Sequence, residues 1–272
     1  LGDTSVAGVG LANEISFVLG MVTFGISSGG AIFAAQYWGK KDIPNLRKVL
    51  GISLLIGFLI SLVFLVIAVV FPTAALSIYT RDEAVIKLGA GYLRQIGLFY
   101  PFWVISYVFA MIHRSTRNVK LPIYVSILAL GLKTSLNFLL IGGHLGFPAL
   151  SVQGAAIATM ISRSVEFTLM IVLTYAGRTP LAATFSQMFR VDFSFLKRFF
   201  KTTLPVVLNE TMWSLGITTY SAIYAHIGTE SIAAYNISHT IDNLVFVLFM
   251  GVGNACAIVV GNNIAPGNEK FA

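Results

Sequence analysis

Charged residues are scarce: Asp, Glu, Lys and Arg make up 11% of the 272 residues, against 56% hydrophobic. With a mean hydropathy of +0.83 the chain would expose large apolar surface as a soluble domain, so that class is excluded and a polytopic membrane protein is expected. The single cysteine, Cys256, excludes an internal disulfide and a thiol cluster for a metal. Its plain reading is a small residue on a helix packing face. An intramembrane enzyme would need a catalytic set such as GxSxG with a partnered His, or HExxH; no such set is legible, and the chain reads as a non-enzyme without a cofactor. No signal peptide is visible, and the chain opens on Leu in the middle of a repeat unit, so a fragment of a longer protein is expected.

The last stretch repeats the first. Sliding the sequence by 226 places sets Leu1–Ala7 against Ile227–Ala233, Ile15 on Ile241, Gly25 on Gly251, Ala31-Ile32 on Ala257-Ile258, and Asp42 on Asn268. Small residues recur where helices would touch, and each copy ends in a polar turn. Parallel repeats of several spans mark secondary transporters whose substrate site lies between the halves.

Seven apolar stretches are long enough for the roughly 20 residues a membrane span needs. They run over 5–37, 49–71, 88–112, 121–142, 153–176, 204–226 and 231–262. The polar segments between them alternate in basic content: Lys40, Lys41, Arg47 and Lys48; then Arg114, Arg117 and Lys120; then Arg178, Arg190, Lys197, Arg198 and Lys201. The intervening segments hold only Arg81 and Lys87. The positive-inside rule makes segments 38–48, 113–121 and 177–203 cytoplasmic. This placement accounts for the net charge of +7 without a nucleic-acid partner. The longest of these segments, 177–203, divides an N-terminal half, 1–176, from the start of a second, 204–272. Phe193, Leu196, Phe199 and Phe200 interleave there with basic residues at helical spacing, which suits an amphipathic helix at the headgroups; a plain basic linker is the alternative. Gly25 and Gly29 form a GxxxG pair, echoed by Gly251, Gly253 and Ala255, a signal of close helix packing.

Ionisable residues inside spans cost about 2.5–3.5 kcal/mol each and so need a partner, a cavity or a function. They are Glu14, Arg94, Lys133, Arg163, Glu166, Glu210 and Asp242, joined by the polar His239 and Asn137. Arg163 and Glu166, three apart on one helix face, read as a structural ion pair. Lys133 has no acid within four residues and must reach another span or water, with Glu210 the obvious candidate. Glu210 follows Pro205, where a helix can bend. Desolvation and a nearby cation pull the protonation of such a carboxylate in opposite directions, the competition that a proton- or sodium-coupled site exploits. Glu210 is therefore the leading coupling residue, the alternative being a carboxylate neutralised by Lys133 or another structural partner. Asp242 and His239, an i, i+3 pair, and Glu14 are candidates for the same relay, and Arg94 reads as snorkelling to the headgroups.

These residues carry a resemblance. Leu150-Ser151-Val152-Gln153-Gly154-Ala155-Ala156-Ile157-Ala158-Thr159 resembles the lGvxGAAxAT pattern of the multidrug and toxic compound extrusion (MATE) transporters. Gln36-Tyr37-Trp38-Gly39-Lys40-Lys41-Asp42 is similar to that family's Q-x-x-G-x-x-D turn. Arg114 stands eight residues before Pro122, as in its R-A-x-G-x-x-x-x-P loop, with Arg117 where glycine is usual, and Asn137 matches its LN motif. The resemblance implies an all-α polytopic protein of the plasma (inner) membrane: twelve helices in two six-helix lobes forming an inverted V, seven of them present here. It implies a monomer, surrounded by membrane lipid, that exports organic, often cationic, small molecules in exchange for H+ or Na+ by rocking between outward-open and inward-open V shapes. It assigns Asn137 and Thr159 to an N-lobe cation site, where the usual acid four residues beyond the asparagine is Ile141. The family's acid on its seventh helix lies eight residues after a proline, whereas Glu210 lies five after Pro205. The alternative is a lipid-linked oligosaccharide flippase of the same superfamily. Its pyrophosphate would call for several basic residues, here Lys133, Arg163 and Arg94.

Overall fold

The computed structural model describes residues 3–227 and 229–264. They form ten α-helices: α1 (Asp3–Gly39), α2 (Ile43–Val70), α3 (Pro72–Ser77), α4 (Glu83–Gly97), α5 (Tyr100–Ser115), α6 (Lys120–Gly142), α7 (Ser151–Ala176), α8 (Phe185–Phe189), α9 (Phe193–Ile227) and α10 (Thr229–Ile264). Helix ends fall where local chemistry stops them. The Asp42 carboxylate accepts from the Asn45 backbone N–H at 3.2 Å and its side-chain amide at 2.7 Å, capping α2, with Pro44 in the first turn where no backbone donor is needed. Asp82 caps α4 by accepting from Ala84 N–H at 2.9 Å. Gly143, at φ 68°, closes α6 in the left-handed conformation.

Among the described residues, five helices are long and apolar enough to cross a membrane: α1 from Thr4, α2, α6, α7, and α10 over Val245–Ile264. A sixth follows if α4 and α5 are taken together. The sequence predicts one straight span over 88–112, but the chain breaks at Leu98-Phe99 and bends by 54°. Pro101 sits in the first turn of α5 and cannot continue the α4 hydrogen-bond ladder. Gly97 permits the close approach: a Cβ there would stand 2.5 Å from Ala68 Cβ.

The apolar surface fits lipid. Leu55, Phe58, Leu59, Val63, Val66 and Val70 recur at helical spacing along one exposed face of α2, and Ile123, Ile127, Leu128 and Leu130 do the same on α6. The opposite faces are buried: Leu46, Val49 and Leu50 of α2 meet Leu93 of α4 and Val104, Val108 and Ile112 of α5 in one core. His113 is fully buried in α5 and ties it to α7. Thr174 Oγ1 donates to the Met170 carbonyl at 2.6 Å, so it accepts from His113 Nε2 at 2.8 Å, while His113 Nδ1 accepts from Asn118 at 3.4 Å. That arrangement selects the neutral tautomer with its proton on Nε2.

Helix α1 is the hub, packing against α2, α4, α5, α9 and α10. The expected amphipathic segment of 177–203 is helical from Phe193 but continues without a break into α9. Its apolar side packs against the end of α1. Phe199 stacks on Phe33 with centroids 5.7 Å apart and Phe195 on Tyr37 at 6.0 Å, while Phe193 and Phe200 stay exposed. Aromatic partners on α1 thus take the face expected to lie on headgroups. The basic segments gather at one end of the bundle. Arg47 donates to the Pro180 carbonyl at 3.0 Å and to Gln187 at 3.1 Å, joining two of them.

Candidate functional site

The GxxxG pair on α1 marks the seam with α9. A Cβ on Gly25 would stand 2.8 Å from Val207 Cα, and one on Gly29 2.6 Å from Thr203 Cγ2. Only glycine lets these backbones approach so closely. The echo in α10 does not behave this way: Gly251 and Gly253 face open space among the described residues. The string Gly25-Ile26-Ser27-Ser28-Gly29 also fits GxSxG literally. It lies within a helix, with Ser27 fully buried and its hydroxyl without a partner among the described residues. A helix interior supplies none of the strained strand-to-helix elbow that exposes a nucleophile.

Two cavities flank α1 and share Phe17 and Met21 as a wall. The first, of about 350 Å³, lies among α1, α9 and α10. Its lining includes Phe24, Trp213, Phe246 and Met250 around Glu210, the one ionisable group in that lining among the described residues. Trp213 and Phe246 stack with centroids 6.1 Å apart. Glu210 forms no ion pair or hydrogen bond with any described residue. The second cavity, of about 300 Å³, lies among α1, α4, α5, α6 and α7 and takes in Lys133, Thr159 and Arg163.

The structure separates residues that the sequence invites one to pair. Lys133 and Glu210 line different cavities and form no ion pair. Helix α1 stands between them, which helical spacing alone does not reveal. Arg163 does pair with Glu166, at 2.7 Å, and stacks over Trp103 at 5.0 Å from the ring centroid. Thr159 lines the second cavity, its hydroxyl donating to the Ala155 carbonyl at 2.9 Å. Asn137 lies outside that lining, with a buried Oδ1 that has no partner among the described residues. Asp242 is exposed on α10, Arg94 is exposed on α4, and the side chain of His239 lies outside the described residues. Glu14, half-buried in α1, is within electrostatic reach of Tyr79. Charge-based reading missed the aromatic walls. The spacing of Phe17, Met21 and Phe24 along one α1 face was the signal available.

The motifs prove to be packing and capping devices. Asp42 of the polar turn is the α2 cap, and a Cβ on Gly39 of the same turn would collide with the Asn262 carbonyl of α10. Gly154 of the GAAxAT run leaves room for the Leu140 carbonyl, 2.5 Å from where a Cβ would stand, so α7 can lie against α6. Arg117, where glycine is usual, has φ 63°, the left-handed conformation that glycine adopts freely.

A family model described as MatE matches residues 1–139 and 205–272. A Bacillus subtilis (strain 168) protein named "Probable multidrug resistance protein YoeA" is 29% identical over 97% of this chain and 58% of its own length. A Thermotoga maritima protein named "Probable multidrug resistance protein NorM" is 25% identical over 98% of this chain and 57% of its own. The chain therefore spans somewhat more than half the length of these relatives. A ligand complex of the MATE multidrug transporter DinF-BH superposes with a TM-score of 0.86, at 22% identity, over 99% of this chain and 59% of that one. These matches and the apolar helices make the chain a multi-pass protein of the plasma membrane. On the extent of the family match, the chain belongs to the MatE family of multidrug and toxic compound extrusion transporters.

Proposed function

We propose that the chain forms part of a monomeric secondary antiporter that exports organic, chiefly cationic, compounds in exchange for H+ or Na+. In this reading α9 is a seventh span, and residues 1–176 belong to one six-helix lobe and 204–272 to the next, joined by the cytoplasmic segment 177–203. The observation that carries it is Glu210: a single carboxylate in an aromatic- and Met-lined cavity, without a cationic partner among the described residues. Such a wall offers π faces to a flat organic cation and low dielectric around the charge. A proton and a bound cation then compete for one carboxylate, so loading one releases the other. The names of the relatives, which include two multidrug resistance proteins, support the same class of substrate. Lys133, Asp242, His239 and Glu14 remain secondary candidates for the proton path, and Asn137 with Thr159 for an N-lobe cation site.

Everted vesicles carrying the full-length protein test this directly. Wild type should discharge an imposed pH or Na+ gradient when a cationic dye is added, and Glu210→Gln should bind dye but leave the gradient intact. Equal discharge by both proteins would make Glu210 structural. No discharge of either gradient by wild type would remove the antiport reading and bring forward the flippase.

A further inference from the structure

The second cavity has the opposite polarity to the first. Of the described residues lining it, the two that carry charge, Lys133 and Arg163, are both cations. Glu166 does not contribute to the lining; it sits behind Arg163, its side chain 15% exposed against 32% for the arginine. One carboxylate thus faces two cations. Lys133 lies within electrostatic reach of both Arg163 and Glu166, yet has no ion pair or hydrogen bond with any described residue. A lysine so held within a span, lining a cavity, is a functional-site candidate whose charge is open to an anion entering that cavity.

The remaining lining says what form that countercharge takes. Phe17, Tyr92, Phe99, Tyr100 and Trp103 surround the cavity. Gly20 admits the Trp103 ring, which comes within 3.2 Å of where a Cβ would stand. The Arg163 guanidinium lies over the Trp103 face and gives Nη1 to Glu166, its other donors having no partner among the described residues. A volume of about 300 Å³ suits a ligand of one or two rings.

We propose that this cavity binds an aromatic organic anion, its carboxylate, sulfonate or phosphate oxygen held between Lys133 Nζ and the free edge of Arg163, its rings against the aromatic wall. The protein then offers two substrate pockets of opposite charge on either side of Phe17 and Met21. The inference rests on the exporter reading for its direction of transport; binding itself does not depend on Glu210.

The test is calorimetric titration of the full-length protein in nanodiscs of zwitterionic lipid with 2-naphthalenesulfonate, inorganic phosphate and a cationic rhodamine dye. Wild type should bind the sulfonate, and Lys133→Gln and Arg163→Gln should each weaken it at least tenfold while retaining the dye, which also reports that they fold. Lys133→Arg should restore sulfonate affinity to within about threefold, and Glu210→Gln should keep the sulfonate at wild-type affinity. Absence of sulfonate binding, binding unchanged in Lys133→Gln, or displacement by equimolar phosphate would each overturn the proposal, the last because the aromatic wall would then play no part. Loss of the sulfonate in Glu210→Gln would place the anion in the other cavity and overturn it equally. If a glutamine variant loses the dye as well, Lys133→Arg decides: failure to bind the sulfonate while binding the dye refutes the assignment, and binding of both supports it.

Discussion

Adding one methyl group at Gly25 tests whether the α1–α9 seam is as tight as its geometry states. The new Cβ would stand 2.8 Å from Val207 Cα and 3.3 Å from its Cγ2. Carbon atoms pack at about 3.5–4.0 Å, so α9 must retreat by about 0.7–1.2 Å. Overpacking of this size costs about 1–3 kcal/mol. Gly131→Ala on α6 is the control, because nothing lies within 4 Å of its added Cβ. Both changes gain the same helix propensity of about 0.5–1 kcal/mol, which cancels in the comparison. At roughly 2–4 °C per kcal/mol, Gly25→Ala should melt about 2–12 °C below Gly131→Ala in detergent-solubilised full-length protein. Val207→Ala should not rescue it, since the nearest obstacle is backbone. Equal melting temperatures for the two alanine variants, or full rescue by Val207→Ala, would refute the seam.

Asp42→Ala should destabilise the protein by about 1 kcal/mol through loss of the α2 cap, and Asp42→Asn should recover most of it in the same melting assay. Arg117→Gly should raise the melting temperature, because relieving a left-handed φ in a non-glycine residue gains about 1 kcal/mol. His113→Leu strands the Asn118 amide and alters the link to Thr174; a loss of roughly 1–3 kcal/mol is expected, with no change in dye affinity as the check that the effect is structural. Asp192 lies at the polar start of α9, where the Ser194 hydroxyl and the Phe195 N–H donate to its carboxylate and hold it below the usual carboxylate range. Its folded value being depressed, its contribution to stability is present above the unfolded carboxylate range and fades as pH falls. Melting curves between neutral pH and pH 3 should therefore show a smaller acid-induced loss in Asp192→Asn than in wild type.

Composition and apolar run length were enough to establish the membrane class, and the described helices keep close to five of the seven predicted stretches. The Arg163–Glu166 pair was legible as well, because both residues belong to one helix and their spacing fixes a shared face. The 54° break at Leu98-Phe99 was hidden in an unbroken apolar run, where hydropathy is blind to a proline that ends one hydrogen-bond ladder and opens another. The amphipathic start of α9 showed its two faces in sequence, but Phe33 and Tyr37, more than 150 residues earlier, decide what the apolar one touches.

The sequence by itself determined that this is a helical membrane protein, which of its loops carry the positive charge, which family its motifs match and which ionisable residues demand an explanation. Tertiary structure alone decided how those residues are partitioned: Glu210 in one cavity, Lys133 and Arg163 in another, with α1 between them. The reason is geometric. Periodicity along a helix specifies which side chains share a face, whereas the partner of that face depends on how distant segments pack. The glycines of α1 fix that packing only when α9 is set against them.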